Sequence, residues 1–140
     1  MPNPTKNLDL SAIWLFSSCT PRELRTLRGA LEEVTVPAGT VLTAQKAAGR
    51  EFFLIVEGRA AVIHSGRHVA TLGPDQYFGE LSLLDRGSRS ATVEAETEMR
   101  LLVLGQRDFN GILEAVPTMT RKLLSVMAGR LRESDARAYH

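Results

Sequence analysis

From Val34 to about Leu104 the chain alternates short β-rich runs with glycine-marked turns, and this rhythm restricts the fold more than any other feature. The runs are VTVPAGTVLT, EFFLIVEGRAAVIHSGRHVATLG and SATVEAETEMRLLVLG. Turn signals recur about every 8–12 residues, which points to an all-β sandwich or barrel rather than to parallel βαβ units. Ser65-Gly66, between AAVIH and RHVAT, reads as a tight hairpin turn. Gly39, Gly58, Gly73 and Gly79 mark places where the backbone turns or comes close to another group.

Helical patterns flank this stretch. Residues 8–18 carry apolar positions at Leu8, Leu10, Ile13, Trp14 and Phe16, in a short helix-like spacing. TPRELRTLRGALEEV then has a complete helix start: Thr20 as N-cap, Pro21 at the first helical position, and Glu23 placed to close a capping box. Leu24, Leu27 and Leu31 give it an apolar stripe, and Arg22, Arg25 and Arg28 read as a solvated face. After Gly105 the helical period returns. QRDFNGILEAV is a short helix stopped near Pro117, and TMTRKLLSVMAGRLRESDARA is a longer one with Met119, Leu123, Val126, Met127 and Leu131 on one broad face. The expected organisation is one domain over residues 1–140, with helices over about 8–33, a β-roll over about 34–104 and helices over about 106–137.

Composition sets limits on function. A 140-residue chain builds one core without staples, and 44% hydrophobic with 24% charged residues is ordinary for a soluble protein. The formal net charge of +1 argues against direct nucleic acid binding, which draws on a clearly basic face. The lone Cys19 has no internal partner, which places the chain in a reducing cytoplasm. MPNPTKNLDLSAIW has no continuous apolar core of a signal peptide, and no window approaches the ~18 apolar residues of a membrane span.

The chemistry concentrates in FGELSLLDRGSRSATV, Phe78 to Val93. It lies where one β-run breaks and the next begins, a place for a short helical turn. Free N–H groups at the start of such a turn attract anions. Gly79 has no Cβ and admits a close approach. Arg89 offers a planar fork of donors for two phosphate oxygens, and an ionised Glu80 accepts from a hydroxyl. Together they describe a ligand with one phosphate beside a sugar hydroxyl, that is, a nucleotide fragment.

This segment closely resembles the phosphate-binding cassette of cyclic-nucleotide-binding domains, with its F-G-E-L-[small]-L-L followed by R-[small]-A-T-V. The spacing of Glu80 and Arg89 is similar to that in regulatory subunits of cAMP-dependent protein kinase, and Arg89-Ser90 looks like the bacterial catabolite-activator branch. LFSSCTPRELRTL, VPAGTVLTAQKAAGREFFLIVEGRAAV and the long C-terminal helix resemble the family in position. The resemblance implies a mainly β fold: an antiparallel, jelly-roll-like β-roll with N-terminal helices and a long C-terminal helix. It implies that Arg89 binds the cyclic phosphate and Glu80 takes the ribose 2′-hydroxyl. Backbone at Gly79 and Leu81 contacts ribose or phosphate, and Ser90 caps a phosphate oxygen. By a cruder alignment of MAGRLRESD, Arg130 and Ser134 face the base. cAMP is the favoured ligand and cGMP the alternative, with no metal and no enzymatic step. The expected partners are a second copy through the C-terminal helix and an effector of unknown identity, with no membrane. Two departures stand out. Lys46 follows Gln45 where the family commonly has Gly, and no winged-helix or helix-turn-helix segment follows residue 140, though the family's bacterial transcription factors need one.

Other readings compete. Glu80 and Arg89 as a structural ion pair would leave an interaction module that keeps the fold without the ligand. Gly58 and His64 imitate the start of a cupin metal motif, but Ser65-Gly66 stands where the second histidine belongs, and His68 lies across the hairpin turn. Solvated hairpin histidines fit better. Cys19 reads as a small, partly buried thiol. No Ser/His/Asp or Cys/His arrangement and no paired carboxylates stand out for catalysis.

Overall fold

EFFLIVE and MRLLVLG carry no polar alternation because each of these strands has apolar neighbours on both faces. The computed structural model describes residues 8–44, 51–79 and 91–138. Within it, β3 (Glu51–Glu57) and β8 (Met99–Gly105) pair antiparallel at the middle of one sheet, between β1 (Glu32–Val36) and β6 (Tyr77–Phe78). The second sheet runs β2 (Val41–Thr43), β7 (Thr92–Ala95), β4 (Ala60–His64), β5 (Arg67–Leu72). All the strand pairs are antiparallel, so the two sheets form the expected β-roll.

Side chains on a strand alternate between faces, and here the alternation sorts two cores. Phe53, Ile55, Leu101 and Val103 join Phe78, Val93, Ala95, Ala60 and Met99 inside the roll. Phe52, Leu54, Leu102 and Leu104 point the other way, against the helices. A strand buried on both faces reads as a continuous apolar run.

The helical core is built by α1 (Pro21–Ala30), α2 (Gln106–Ala115), the start of α3 (Pro117–Ala138) and two short 3-10 turns, Leu10–Ala12 and Trp14–Phe16. Phe16, Phe52 and Phe109 are fully buried there, with ring centroids of Phe16 and Phe109 at 6.3 and 5.7 Å from Phe52. Met119 and Leu123 seat α3 in this core, and the Thr120 hydroxyl donates to the Leu113 carbonyl at 2.9 Å.

The start of α1 is as the sequence specifies. Thr20 Oγ1 accepts from the Glu23 N–H at 3.2 Å, and Glu23 Oε1 accepts from the Thr20 N–H at 2.7 Å. Two N–H groups without helical partners are thereby satisfied. Thr20→Ala is expected to lower stability by about 1 kcal/mol. Urea denaturation checks it, and an unchanged midpoint would show that the box contributes nothing here.

Three expectations need correction. The α1 helix stops at Ala30, and Leu31 is already extended with ψ 133°. Glu32 and Glu33, expected to be helical, pair with Val103 and Leu102 of β8, because tertiary pairing overrides their helical preference. Residues 8–18 form two 3-10 turns rather than one helix: Asp9 caps the first by accepting from the Ser11 N–H at 3.0 Å, and Ile13 between them is extended. Of the three arginines expected on a solvated face, Arg28 is half-buried and donates from Nη2 to the Leu8 carbonyl at 2.6 Å, while Arg22 and Arg25 are exposed.

The hairpin falls where the sequence puts it. His64 pairs with Arg67, and Ser65 and Gly66 adopt φ 51° and 79°. Two positive φ values are what a two-residue turn with the twist of the flanking strands requires.

Candidate functional site

The site begins at the end of β6. Tyr77 and Phe78 pair with Leu54 and Phe53 of β3. Tyr77 packs towards the helical core and Phe78 into the roll, where its ring stacks on Phe53 at 4.8 Å and 12°. Such a stack contributes about 0.5–1.5 kcal/mol beyond its burial and fixes the direction in which the chain leaves the sheet. Gly79 follows with φ 96°, a conformation that costs L side chains energy and glycine little. Ala91 leads into β7, which lies between β2 and β4 in the opposite sheet. Residues 80–90 therefore join the edge of one sheet to the interior of the other.

The return end is also held. Thr43 Oγ1, on β2, donates to the Ala91 carbonyl at 3.3 Å, and Thr43 is the buried polar residue among the described residues. Sequence reasoning passed over this threonine, although a hydroxyl ending the apolar run VLT was a signal. It missed the Phe53–Phe78 stack too, which the doublets FF and YF foreshadow once each strand is split into faces.

Of the residues expected to contact a ligand, Gly79 stands at the exit from β6. Glu80, Leu81, Arg89 and Ser90 lie outside the described residues, as do Gln45 and Lys46. Arg130 and Ser134 fall on α3, whose backbone is described there, while their side chains lie outside the described set.

The other candidates take ordinary positions. His64 and His68 are exposed on the β4–β5 hairpin, with His68 Nε2 at 3.0 Å from Thr71 Oγ1 and 3.9 Å from Glu96. Among the described residues no three potential metal ligands gather. Cys19 is half-buried, and burial pushes its thiol above the ordinary value, with the Glu23 charge adding to the rise and Lys122 opposing it. A raised thiol is a poor nucleophile at neutral pH.

By architecture the described residues form an eight-stranded antiparallel β-roll flanked by helices, its chain passing repeatedly from one sheet to the other. The chain belongs to the cyclic nucleotide-binding domain family, whose model matches residues 33–116. It is 32% identical over 126 residues to the cyclic AMP receptor protein of Thermus thermophilus, covering 86% of this chain and 58% of that protein. It is 34% identical over 105 residues to the cAMP-dependent protein kinase regulatory subunit of Schizosaccharomyces pombe, covering 74% of this chain and 26% of that one. Among solved structures, the catabolite activator protein of Thermus thermophilus superposes with a TM-score of 0.79 at 32% identity, over 89% of this chain and 61% of the other. The chain thus spans a little over half the length of the bacterial relative and about a quarter of the kinase subunit.

Proposed function

We propose that this chain is a cyclic-nucleotide sensor that binds cAMP reversibly and makes or breaks no bond. The observation that carries the reading is the placement of its cassette sequence. F-G-E-L begins where β6 ends in a left-handed glycine, and A-T-V begins where the chain enters the opposite sheet. The ligand segment thus follows an edge strand of one sheet and precedes an inner strand of the other. In this reading Arg89 holds the cyclic phosphate, Glu80 the ribose 2′-hydroxyl, backbone at Gly79 and Leu81 the ribose or phosphate, and Ser90 a phosphate oxygen. Arg130 and Ser134 on α3 approach the base. The similarity to a cyclic AMP receptor protein favours adenine, with cGMP as the competitor.

Binding is read out by α3. Its first two turns are seated by Met119 and Leu123, while Leu124 is 57% exposed. Leu124, Met127 and Leu131 follow a 3-4 spacing, that of a heptad seam, which suits a second copy of the same helix. Occupancy shifts the position of α3 only if the ligand binds two arrangements with different affinity. The effector that reads the shift is a partner protein or domain, and the net charge of +1 favours no direct contact of this chain with nucleic acid. Among the described residues no helix is long and apolar enough to cross a membrane, and the lone Cys19 fits a reducing cytoplasm.

Calorimetric titration of nucleotide-free protein with cAMP, cGMP and 5′-AMP tests the reading. A dissociation constant near micromolar, about −8 kcal/mol, is expected for cAMP, with 5′-AMP much weaker. No heat from either cyclic nucleotide would hand the fold to a module that has lost its ligand.

A further inference from the structure

The Lys122 side chain gathers contacts on an element far from it in sequence. From the second turn of α3 its ammonium donates to the Trp14 carbonyl at 2.6 Å and to the Ser17 hydroxyl, and it stands 5.0 Å from the centroid of the Trp14 ring. A cation over an indole face is attracted by the ring quadrupole, and the carbonyl adds a charge-assisted hydrogen bond. All three contacts fall on one 3-10 turn and the residue that ends it, Trp14–Ser17. Leu15 and Phe16 of that turn are buried in the helical core beside Met119 and Leu123, whereas Trp14 is 52% exposed. Beyond Leu123 the next side chain, Leu124, is largely exposed. Lys122 therefore sits where α3 leaves its seat.

We infer that Lys122 is a latch coupling α3 to the N-terminal turn, so that nucleotide occupancy of the roll, as proposed above, is registered at Trp14 through α3. The inference rests on that functional reading for its ligand, and on the geometry of Lys122 for its mechanism. A helix that shifts relative to the turn breaks three interactions together, and a helix that carries the turn with it drags an exposed indole. Either way the surroundings of Trp14 change. The equilibrium between arrangements of α3 then depends on the latch whenever the contacts differ between them. By linkage, loosening it changes nucleotide affinity.

Trp14 is the single tryptophan of the chain, so its fluorescence reports the latch without labelling. Three proteins are compared: wild type, Lys122→Ala, and Lys122→Arg, which keeps a cation for the ring and the carbonyl. Circular dichroism checks that each is folded. Without nucleotide, acrylamide quenching of Trp14 is expected to rise about 1.5- to 2-fold in Lys122→Ala, since the lysine stem and ammonium cover the ring face, and to return towards wild type in Lys122→Arg. With cAMP, wild type is expected to show a shift in Trp14 emission that Lys122→Ala loses. Calorimetry should give the alanine variant a dissociation constant about 3- to 10-fold different from wild type. Equal quenching in all three proteins overturns the latch. Raised quenching with an unchanged dissociation constant and an unchanged cAMP-induced emission shift overturns the coupling. If wild type gives no heat with cyclic nucleotide, the functional reading and the coupling fall together, while the quenching comparison still decides whether Lys122 holds the turn.

Discussion

Arg89→Ala is expected to weaken cAMP binding by about 2–5 kcal/mol, roughly 30-fold or much more, because it leaves a desolvated phosphate without its cation. A cyclic phosphate carries one negative charge over two exocyclic oxygens, and the guanidinium presents two parallel N–H donors at matching spacing. Lysine in its place keeps the charge but not the fork, so Arg89→Lys is expected to recover only part of the loss. The experiment is calorimetric titration of folded variants, with thermal denaturation run beside it to show that the roll is intact. An alanine variant that binds within about threefold of wild type would remove the phosphate from the site, since losing a charged pair costs more than that. A lower melting temperature with unchanged binding would instead recast the arginine as part of the scaffold.

Gly58→Ala carries the largest expected cost to the fold. Gly58 links β3 to β4 at φ 93°, and a Cβ built there would lie 2.4 Å from the Glu98 carbonyl oxygen and 2.9 Å from both Met99 Cγ and Thr97 Oγ1. The carbonyl is backbone and cannot swing aside. It adjoins a fixed crossing, where the Arg59 N–H donates to Thr97 Oγ1 at 3.1 Å and the Glu96 N–H donates to the Arg59 carbonyl at 3.0 Å. Gly39 supplies the control. Its φ is 91°, yet nothing lies within 4 Å of its Cβ position. Gly39→Ala should therefore cost only the left-handed conformation, about 1–2 kcal/mol. Gly58→Ala should cost about 2–4 kcal/mol, the contact adding to the conformation. At roughly 3–5 °C per kcal/mol for a chain of this size, the two melting temperatures should separate clearly. Equal losses would mean that the β3–β4 crossing yields to a methyl group.

How much of this was legible beforehand divides by range. The capping box at Thr20 and Glu23, the hairpin at Ser65-Gly66 and the helix stop before Pro117 are each written within a few residues, and each formed as read. The antiparallel roll was legible from the rhythm of turns. Glu32 and Glu33 misled because local preference speaks for helix, and only five paired residues of β8 speak for strand. The residues at 8–18 have helical spacing but too few turns to hold a helix alone, so the core they join decides their form. Arg28 to the Leu8 carbonyl spans 20 residues and Lys122 to the Trp14 carbonyl spans 108, and no local pattern announces either contact. The candidate site was legible as a string, FGELSLLDRGSRSATV. The structure adds the anchoring of its two ends, by the Phe53–Phe78 stack and the Thr43 hydroxyl.

The one-residue alternation along β3 and β8 makes their sheet a bulkhead between two compartments. Leu101 and Val103 furnish one side, and Leu102 and Leu104 the other. Substitutions on the inner side can repack the interior of the roll while the seat of the helices stays intact, and the reverse holds for the outer side. The interior of the roll and the seat of the helices are thereby free to diversify on separate schedules.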